Sequence, residues 1–533
     1  MLPAAFAPLR HPVFRALWLA NGAAGLGSWM QSTGAAWMMA TLDPDPLMVS
    51  LVQAATLLPV FLFALPAGAL ADIVDRRLFL IGAQLFMLVS AALLAVMTAL
   101  GWVGPWLLLM FTFLVGAGSA AAMPAWAATV PETVPRDDLV PALALNAIGF
   151  NLTRATGPAL AGLLLGVTSP AVAFGLNAVS FLGVVTVLAL WRRETPKAGL
   201  PKEHLLSAIR AGLRFVSATP PMRAAILRAM AFFAFAAAPW GLLPLVVKDR
   251  LQMGPEAFGL FLGLMGAGAV TGGLALPRLR DRFARDRIVF GASLLSALSV
   301  LVLGVVPHAL AVATAMFAFG ICWLTAASTL QAAAQLAAPG WVRARALGIY
   351  QLCFFGALAL GSTLWGWVAT LSGVQWSLAI AGIGGILTSL AARAVQLDRT
   401  AGARGVVVEP VAPPAPEPPA PELATALPHM RGRVLEVVRY VVPQQDRAAF
   451  LAAMVECERV RRRAGAAAWQ LCEDVAHPEQ WLEAWIMDSW TDHLREPLRL
   501  TEEDQAVLAA AYRFNRGDAP PFSARYLAID PKG

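Results

Sequence analysis

Twelve stretches of mostly apolar residues, each about as long as the roughly 20 residues a helix needs to cross a bilayer, run through the first 400 positions of this chain. The first six are Phe14–Met39, Leu47–Ala71, Leu78–Leu100, Trp106–Thr129, Leu139–Gly166 and Ala171–Trp191. The second six are Arg228–Val247, Phe258–Leu276, Ile288–Val306, Ala309–Gln335, Leu347–Thr370 and Trp376–Arg393. Inside hydrocarbon every backbone N–H and C=O must be satisfied within its own segment, so such stretches are read as helices. Composition agrees: 58% of the 533 residues are hydrophobic, 14% are charged, and the mean hydropathy is +0.65. A water-soluble domain of this length could not keep that mixture off its surface. The run from Phe14 is too long for the apolar core of a signal peptide and reads as a retained first span.

The connections between these stretches alternate in charge. Thr41 to Pro46, Gly101 to Pro105, Val167 to Pro170, Pro307 to His308 and Leu371 to Gln375 carry no Lys or Arg, and Lys248 and Arg250 alone break that side's pattern. The other set holds Arg10, Arg15, Arg76, Arg77, Arg136, the stretch Arg192–Arg223, the cluster Arg278–Arg287, Arg343 and Arg345. Basic connections stay in the cytoplasm, which predicts a multi-pass protein of the inner membrane with both termini cytoplasmic. The net charge of +7 is therefore a topology signal; it forms no basic stripe with interleaved aromatics, and no nucleic-acid partner is expected. The four cysteines show no metal-ligand spacing, and no metal or cofactor is expected. The predicted fold is an all-α membrane bundle of two six-helix halves, residues 1–197 and 223–400, joined by an amphipathic cytoplasmic linker, 198–222. On that linker Leu205, Leu206, Ile209, Leu213 and Phe215 oppose Lys202, His204, Arg210 and Arg214.

The halves carry a faint repeat: Gly68-Ala-Leu-Ala-Asp72-Ile-Val-Asp75-Arg76-Arg77 follows the second stretch and Gly273-Leu-Ala-Leu-Pro277-Arg278-Leu-Arg280-Asp281-Arg282 the eighth. The first copy resembles the loop signature between helices two and three of the major facilitator superfamily. Its Asp-Arg-Arg ending resembles the subgroup that contains the enterobactin exporter and the transmembrane secretion effector proteins. Asn151-x-x-Arg154-x-x-Gly157-Pro158-x-x-x-Gly162 resembles that superfamily's fifth-helix exporter signature, with Ala161 where one terminal glycine is usual. The fourth-helix basic residue is absent, Thr112 standing four before Gly116. The resemblance implies a twelve-helix secondary transporter that exports siderophores, drugs or similar metabolites with possible proton coupling. An importer of the same architecture and a membrane-anchored enzyme remain the alternatives, and no catalytic residue is expected in the bundle.

Physics assigns roles to particular residues. Asp72 beside Arg76 and Arg77, with Gly68 and Asp75, would form a charged latch that gates the cytoplasmic side; the plainer reading is a loop that only sets topology. Arg154 falls roughly 22 Å along the fifth helix, too deep to reach either surface. Such an arginine needs a partner or an aqueous cavity, and Asn151 shares its face. The alternative is an arginine satisfied by carbonyls or by Glu132. Asn21, Gln31, Asn146 and Gln351 complete the expected substrate cavity for a small-molecule partner, although each alone is more often interhelical glue. No Asp or Glu lies inside a stretch, leaving Asp72 and Glu132 as protonation candidates. Trp102, Trp106, Trp191, Trp367 and Trp376 are expected at the lipid interface.

Beyond the bundle, a proline-rich linker (401–428) leads to a small polar domain, 429–533. Strands at Arg433–Val442, Ala467–Cys472, Trp481–Ser489 and Arg525–Ile529 and helices at Asp446–Arg463 and Asp504–Phe514 give a β-α-β-β-α-β order, similar to a ferredoxin-like module. Asp488-Ser-Trp490-x-x-His493-Leu resembles the antibiotic-biosynthesis-monooxygenase-like barrel; such modules pair, so a regulatory or dimerisation role for this domain is expected more than catalysis by His477 or His493. The charge pattern predicts that a fluorescent reporter fused after Gly533 is active and that alkaline phosphatase there is not; the reverse result would refute the topology.

Overall fold

The computed structural model describes residues 4–191, 205–339, 342–397, 432–500, 502–516 and 522–528, with backbone alone for 64–73, 205–209 and a few further positions. The proline-rich linker and Lys202 and His204 lie outside the described residues. The chain divides into two compact units: Met1–Gly199 with Ala225–Ala332 and Tyr350–Leu397, and Leu200–Ala224 with Ala333–Ile349 and Asp398–Gly533.

Helices α1 (Pro12–Leu42), α2 (Pro46–Ile73), α3 (Arg76–Ala99), α4 (Pro105–Thr129), α5 (Leu139–Val167) and α6 (Pro170–Leu190) form one half of the bundle. After the linker helix α7 (Leu205–Ala218) come α8 (Pro220–Ala236), α9 (Ala238–Leu245), α10 (Pro255–Arg282), α11 (Arg285–Val305), α12 (Ala309–Ala337), α13 (Arg343–Ser372) and α14 (Val374–Ala391). Pro12, Pro46, Pro105, Pro170, Pro220 and Pro255 each open a helix, where a missing N–H is harmless and φ is preset. α8, α9 and a π-helical turn at Val246–Arg250 make one interrupted span; Pro239 removes a backbone donor just after the break at Ala237. The span therefore starts at Pro220, one helical segment earlier than the expected start at Arg228.

By length and composition, ten helical segments among the described residues can cross a membrane, against the twelve expected. α1 and α5, 31 and 29 residues long, are the two that do not count, because both dilute their apolar residues with polar ones. α1 carries Asn21, Ser28, Gln31, Ser32 and Thr33, and α5 carries Asn146, Asn151, Thr153, Arg154 and Thr156.

Small residues decide how closely the helices approach. A Cβ added to Gly162 of α5 would lie 2.5 Å from Gly259 Cα of α10, and one on Gly259 would meet Gly162 Cα just as closely. Farther along the same crossing Gly263 meets Ala159, and Gly266 meets Ala155. Apolar driving force is weak between helices in lipid, so this backbone proximity supplies the dispersion contacts that hold the halves together. α10 and α12 cross in the same way, Gly268 against Phe317 and Gly320 against Met265.

In the second unit, β1 (Val434–Val441), α15 (Arg447–Ala464), β2 (Ala468–Glu473), β3 (Gln480–Met487), α16 (Trp490–Arg499), α17 (Glu502–Tyr512) and β4 (Phe522–Leu527) follow in order. The antiparallel sheet has strand order β2-β3-β1-β4, with Glu436 opposite Trp485 and Val438 opposite Glu483. Its core gathers Tyr440, Phe450, Met454, Cys457, Trp481, Trp485 and Trp490, and burial pushes the Cys457 thiol up to about 12. Two helices, not the expected one, lie between β3 and β4. α16 escapes a periodicity reading because it is 10 residues long with Pro497 inside, but Ser489 caps it by accepting from the Asp492 N–H. α7 packs on α15, and Arg214 pairs with Asp488 at 2.7 Å. Phe215 is fully buried there and Leu213 is exposed, so the amphipathic face meets protein at Phe215.

Gly162→Val should destabilise the bundle by about 1–3 kcal/mol through overpacking. Gly22→Ala, where an added Cβ meets nothing within 4 Å, should leave it unchanged. Thermal unfolding in detergent measures both, and equal midpoints would refute the account.

Candidate functional site

α5 turns by about 100° per residue, which gives it distinct faces. Thr153 and Gly157 face α1: Gly25 approaches Thr153, and a Cβ on Gly157 would meet Trp29 Cβ at 2.6 Å. Ala155, Ala159 and Gly162 face α10. Leu152, Leu160 and Leu163 form an exposed apolar stripe. Asn151, Arg154 and Pro158 take the remaining face, opposite that stripe, which directs them into the bundle. Pro158 is buried, Asn151 and Arg154 are half-buried, and the Asn151 amide donates to Ala147 O at 2.8 Å.

Arg154 Nη2 is buried and has no hydrogen-bond partner among the described residues. Glu132, the acid that could have neutralised it, instead accepts from Arg76 at 2.9 Å. The cations at the helix ends differ from Arg154. Lys248 donates to Ala40 O, Arg250 to Leu303 O at 2.8 Å, and Arg77 to Leu188 O and Ala189 O, all carbonyls at or near helix C-termini. Arg228 is buried and paired with Asp286, which also accepts from Leu397 N.

An aromatic chain starts within a turn of Arg154 along α5. Trp29, packed on Gly157 less than a turn away, stacks on Trp240 of α9 at 6.2 Å, and Trp240 meets Trp323 of α12 at 5.4 Å. Phe233 extends the chain from Trp323 to Phe354. Trp240 Nε1 is buried without a partner among the described residues, as are the hydroxyls of Thr325 and Thr329, one turn apart on α12. Unfilled donors beside aromatic faces suit a planar, acceptor-rich, anionic ligand: the guanidinium and indole N–H groups bind oxygens while the rings stack.

The remaining expected cavity residues are dispersed. Asn21 is exposed on α1, Asn146 and Gln351 are half-buried on α5 and α13, and no hydrogen bond among the described residues joins them to Arg154. Gln31 is instead committed to a partner: it is 4% exposed and accepts from the Asn177 amide at 2.5 Å, tying α1 to α6. Trp191, expected at the lipid interface, is buried in the core of the first half, whereas Trp102, Trp106, Trp367 and Trp376 are exposed at helix ends. The tryptophans that sequence reasoning missed, Trp29, Trp240 and Trp323, carried a readable signal, since they sit in span interiors.

In the signature loop Asp75 caps α3 by accepting from the Leu78 N–H, while Gly68 and Asp72 fall where the backbone alone is described. The second copy is no loop: Arg280 stands where Asp75 would cap, and α10 runs on to Arg282. At the opposite, Lys/Arg-poor end, hydrogen bonds join the halves. Thr370 donates to Asp45 at 2.6 Å and accepts from Leu47 N, and Ser362 donates to Ser50 O at 3.0 Å. Gly157 and Gly162 of the fifth-helix signature thus have a packing role, admitting Trp29 and Gly259.

Comparison with known proteins gives consistent matches. The family profile described as transmembrane secretion effector covers residues 3–532, through the C-terminal sheet. The staphyloferrin A transporter of Staphylococcus aureus is 23% identical over 68% of this chain and 91% of its own length. The multidrug efflux pump Tap of Mycolicibacterium fortuitum is 25% identical over 66% and 88%. The enterobactin exporter EntS of Shigella dysenteriae serotype 1 is 26% identical over 60% and 76%. Among solved structures, a point mutant of the nucleoside transporter NupG shares the fold, with a TM-score of 0.62 at 12% identity over 72% of this chain and 99% of that one.

Loss of a charge-assisted contact worth roughly 1.5–3 kcal/mol lowers binding by roughly 10- to 150-fold. Arg154→Ala should therefore cut transport by that order while membrane yield and unfolding midpoint stay unchanged, and normal transport would remove Arg154 from the site.

Proposed function

Because the chain belongs to the transmembrane secretion effector family of major facilitator transporters, we propose that it exports an anionic, oxygen-rich aromatic metabolite of the siderophore class. The family and its relatives make it a transporter and not an enzyme. The observation that carries the substrate class is Arg154 Nη2, buried and unpaired among the described residues, on the helix whose Gly157 packs the Trp29 that opens the stack with Trp240 and Trp323. A hydrophobic drug would use the same rings but leave the guanidinium unsatisfied.

In this reading α1 and α5 are the two spans that complete twelve, polar because they line the path and not because they lie outside the membrane. Both termini and the basic loops lie on the cytoplasmic side of the inner membrane, and the hydrogen bonds joining Asp45, Thr370, Ser50 and Ser362 close the outer side. Alternating access would exchange these contacts for a latch at the Asp72-to-Arg77 loop, where Arg76 and Glu132 are already paired. Proton antiport would use Asp72 or Glu132, as the span interiors offer no carboxylate. The strand order β2-β3-β1-β4 supports a ferredoxin-like C-terminal domain, which would serve regulation or pairing of two copies.

Inside-out vesicles given an acid-inside gradient should accumulate an iron-free catecholate siderophore about tenfold or more over vesicles bearing Arg154→Ala. Accumulation in right-side-out vesicles instead would make the protein an importer, and accumulation in neither would overturn the substrate class.

A further inference from the structure

Three carboxylates and a histidine are buried together in the C-terminal domain. Glu436 comes from β1, Glu483 from β3, and His493 and Glu496 from one face of α16; their exposures are 7%, 0%, 6% and 4%. Glu483 is saturated, accepting from Arg461, from the Trp469 indole and from the Tyr440 hydroxyl. The other three lie together, Glu436 and His493 bonded to each other and Glu496 accepting one hydrogen bond on each oxygen. Glu436 Oε1 lies 2.5 Å from His493 Nδ1, and one donor atom each of Glu436, His493 and Glu496 lie within 4.8 Å of one another.

We propose that Glu436, His493 and Glu496 form a binding site for a first-row divalent cation, with zinc or manganese as the fitting class. One imidazole nitrogen and two carboxylate oxygens are the donor set such ions take. Charge favours the same answer. Of the three buried carboxylates, Glu483 and Glu496 share the guanidinium of Arg461 while Glu436 meets only the His493 imidazole, so with that ring neutral a dication brings the set to neutrality. Donor atoms around a tetrahedral zinc stand roughly 3.4 Å apart, so the triad needs only small rotamer shifts, the Glu436–His493 hydrogen bond opening to admit the ion. Supporting groups are in place: Arg461 donates to one oxygen of Glu496 at 3.0 Å, Trp485 Nε1 to the other at 3.3 Å, and the Trp490 ring lies 5.0 Å from the imidazole. No local motif signals the site, because its residues come from two segments 57 positions apart.

The full chain in detergent, stripped with EDTA, is exposed to zinc chloride or manganese chloride alone and dialysed. Elemental analysis should find about one ion per chain, and the ion should raise the unfolding midpoint. His493→Ala and the isosteric Glu496→Gln should each weaken binding by about tenfold or more, while His477→Ala, at an exposed histidine, should not. Retention of neither metal by the wild type overturns the proposal. So does equal binding by His493→Ala, or loss of binding in His477→Ala.

Discussion

The bundle depends on backbone-to-backbone approach between α5 and α10. With Gly162 and Gly259 each too close to the other to tolerate a Cβ, the two halves meet along a seam that only small residues allow. In lipid, where expelling apolar surface from water gives no net gain between helices, such proximity is the main attraction available. The seam also fixes the rotation of α5. Once Ala155, Ala159 and Gly162 face α10, and Thr153 and Gly157 face α1, Arg154 has one direction left, into the bundle.

That rotation separates Arg154 from the cations at the helix ends. Lys248, Arg250 and Arg77 lie near helix ends, where C-terminal carbonyls carry partial negative charge and lack intrahelical donors, so each is satisfied locally. Arg154 stands mid-helix, where backbone carbonyls are already engaged, and its natural acid, Glu132, is held by Arg76. A guanidinium group with no acceptor among the described residues is a costly arrangement for stability alone. It makes physical sense as a binding surface whose ligand supplies the missing acceptors.

The C-terminal unit solves a different problem. Its core mixes aromatic rings with a polar network in which Arg461 reaches Glu483, Glu496 and Tyr512. Burial raises the Glu496 carboxyl to about 7, opposed by Arg461 and reinforced by Glu436. Within the same unit, Arg214 of the linker helix reaches Asp488 at the end of β3, so the segment between the two bundle halves is also a surface of this domain.

Apolar runs were enough to expect a helical membrane bundle and hydrophobic alternation the tail's sheet, because both are set by local composition and period, while the Asp-Arg-Arg motif carried the resemblance to the family. The mid-helix position of Arg154 was legible too, since it follows from counting residues. The partners were not. Gln31 and Asn177, 146 positions apart, pair only because α1 crosses α6; Trp29 meets Trp240 only because the halves close on one another. Helix α16, too short for a period, and the triad on it became visible only once strand register set Glu436 beside it. Local composition dictates what each segment must bury, but which buried groups meet depends on helix rotation and strand pairing, and those are properties of the packed whole.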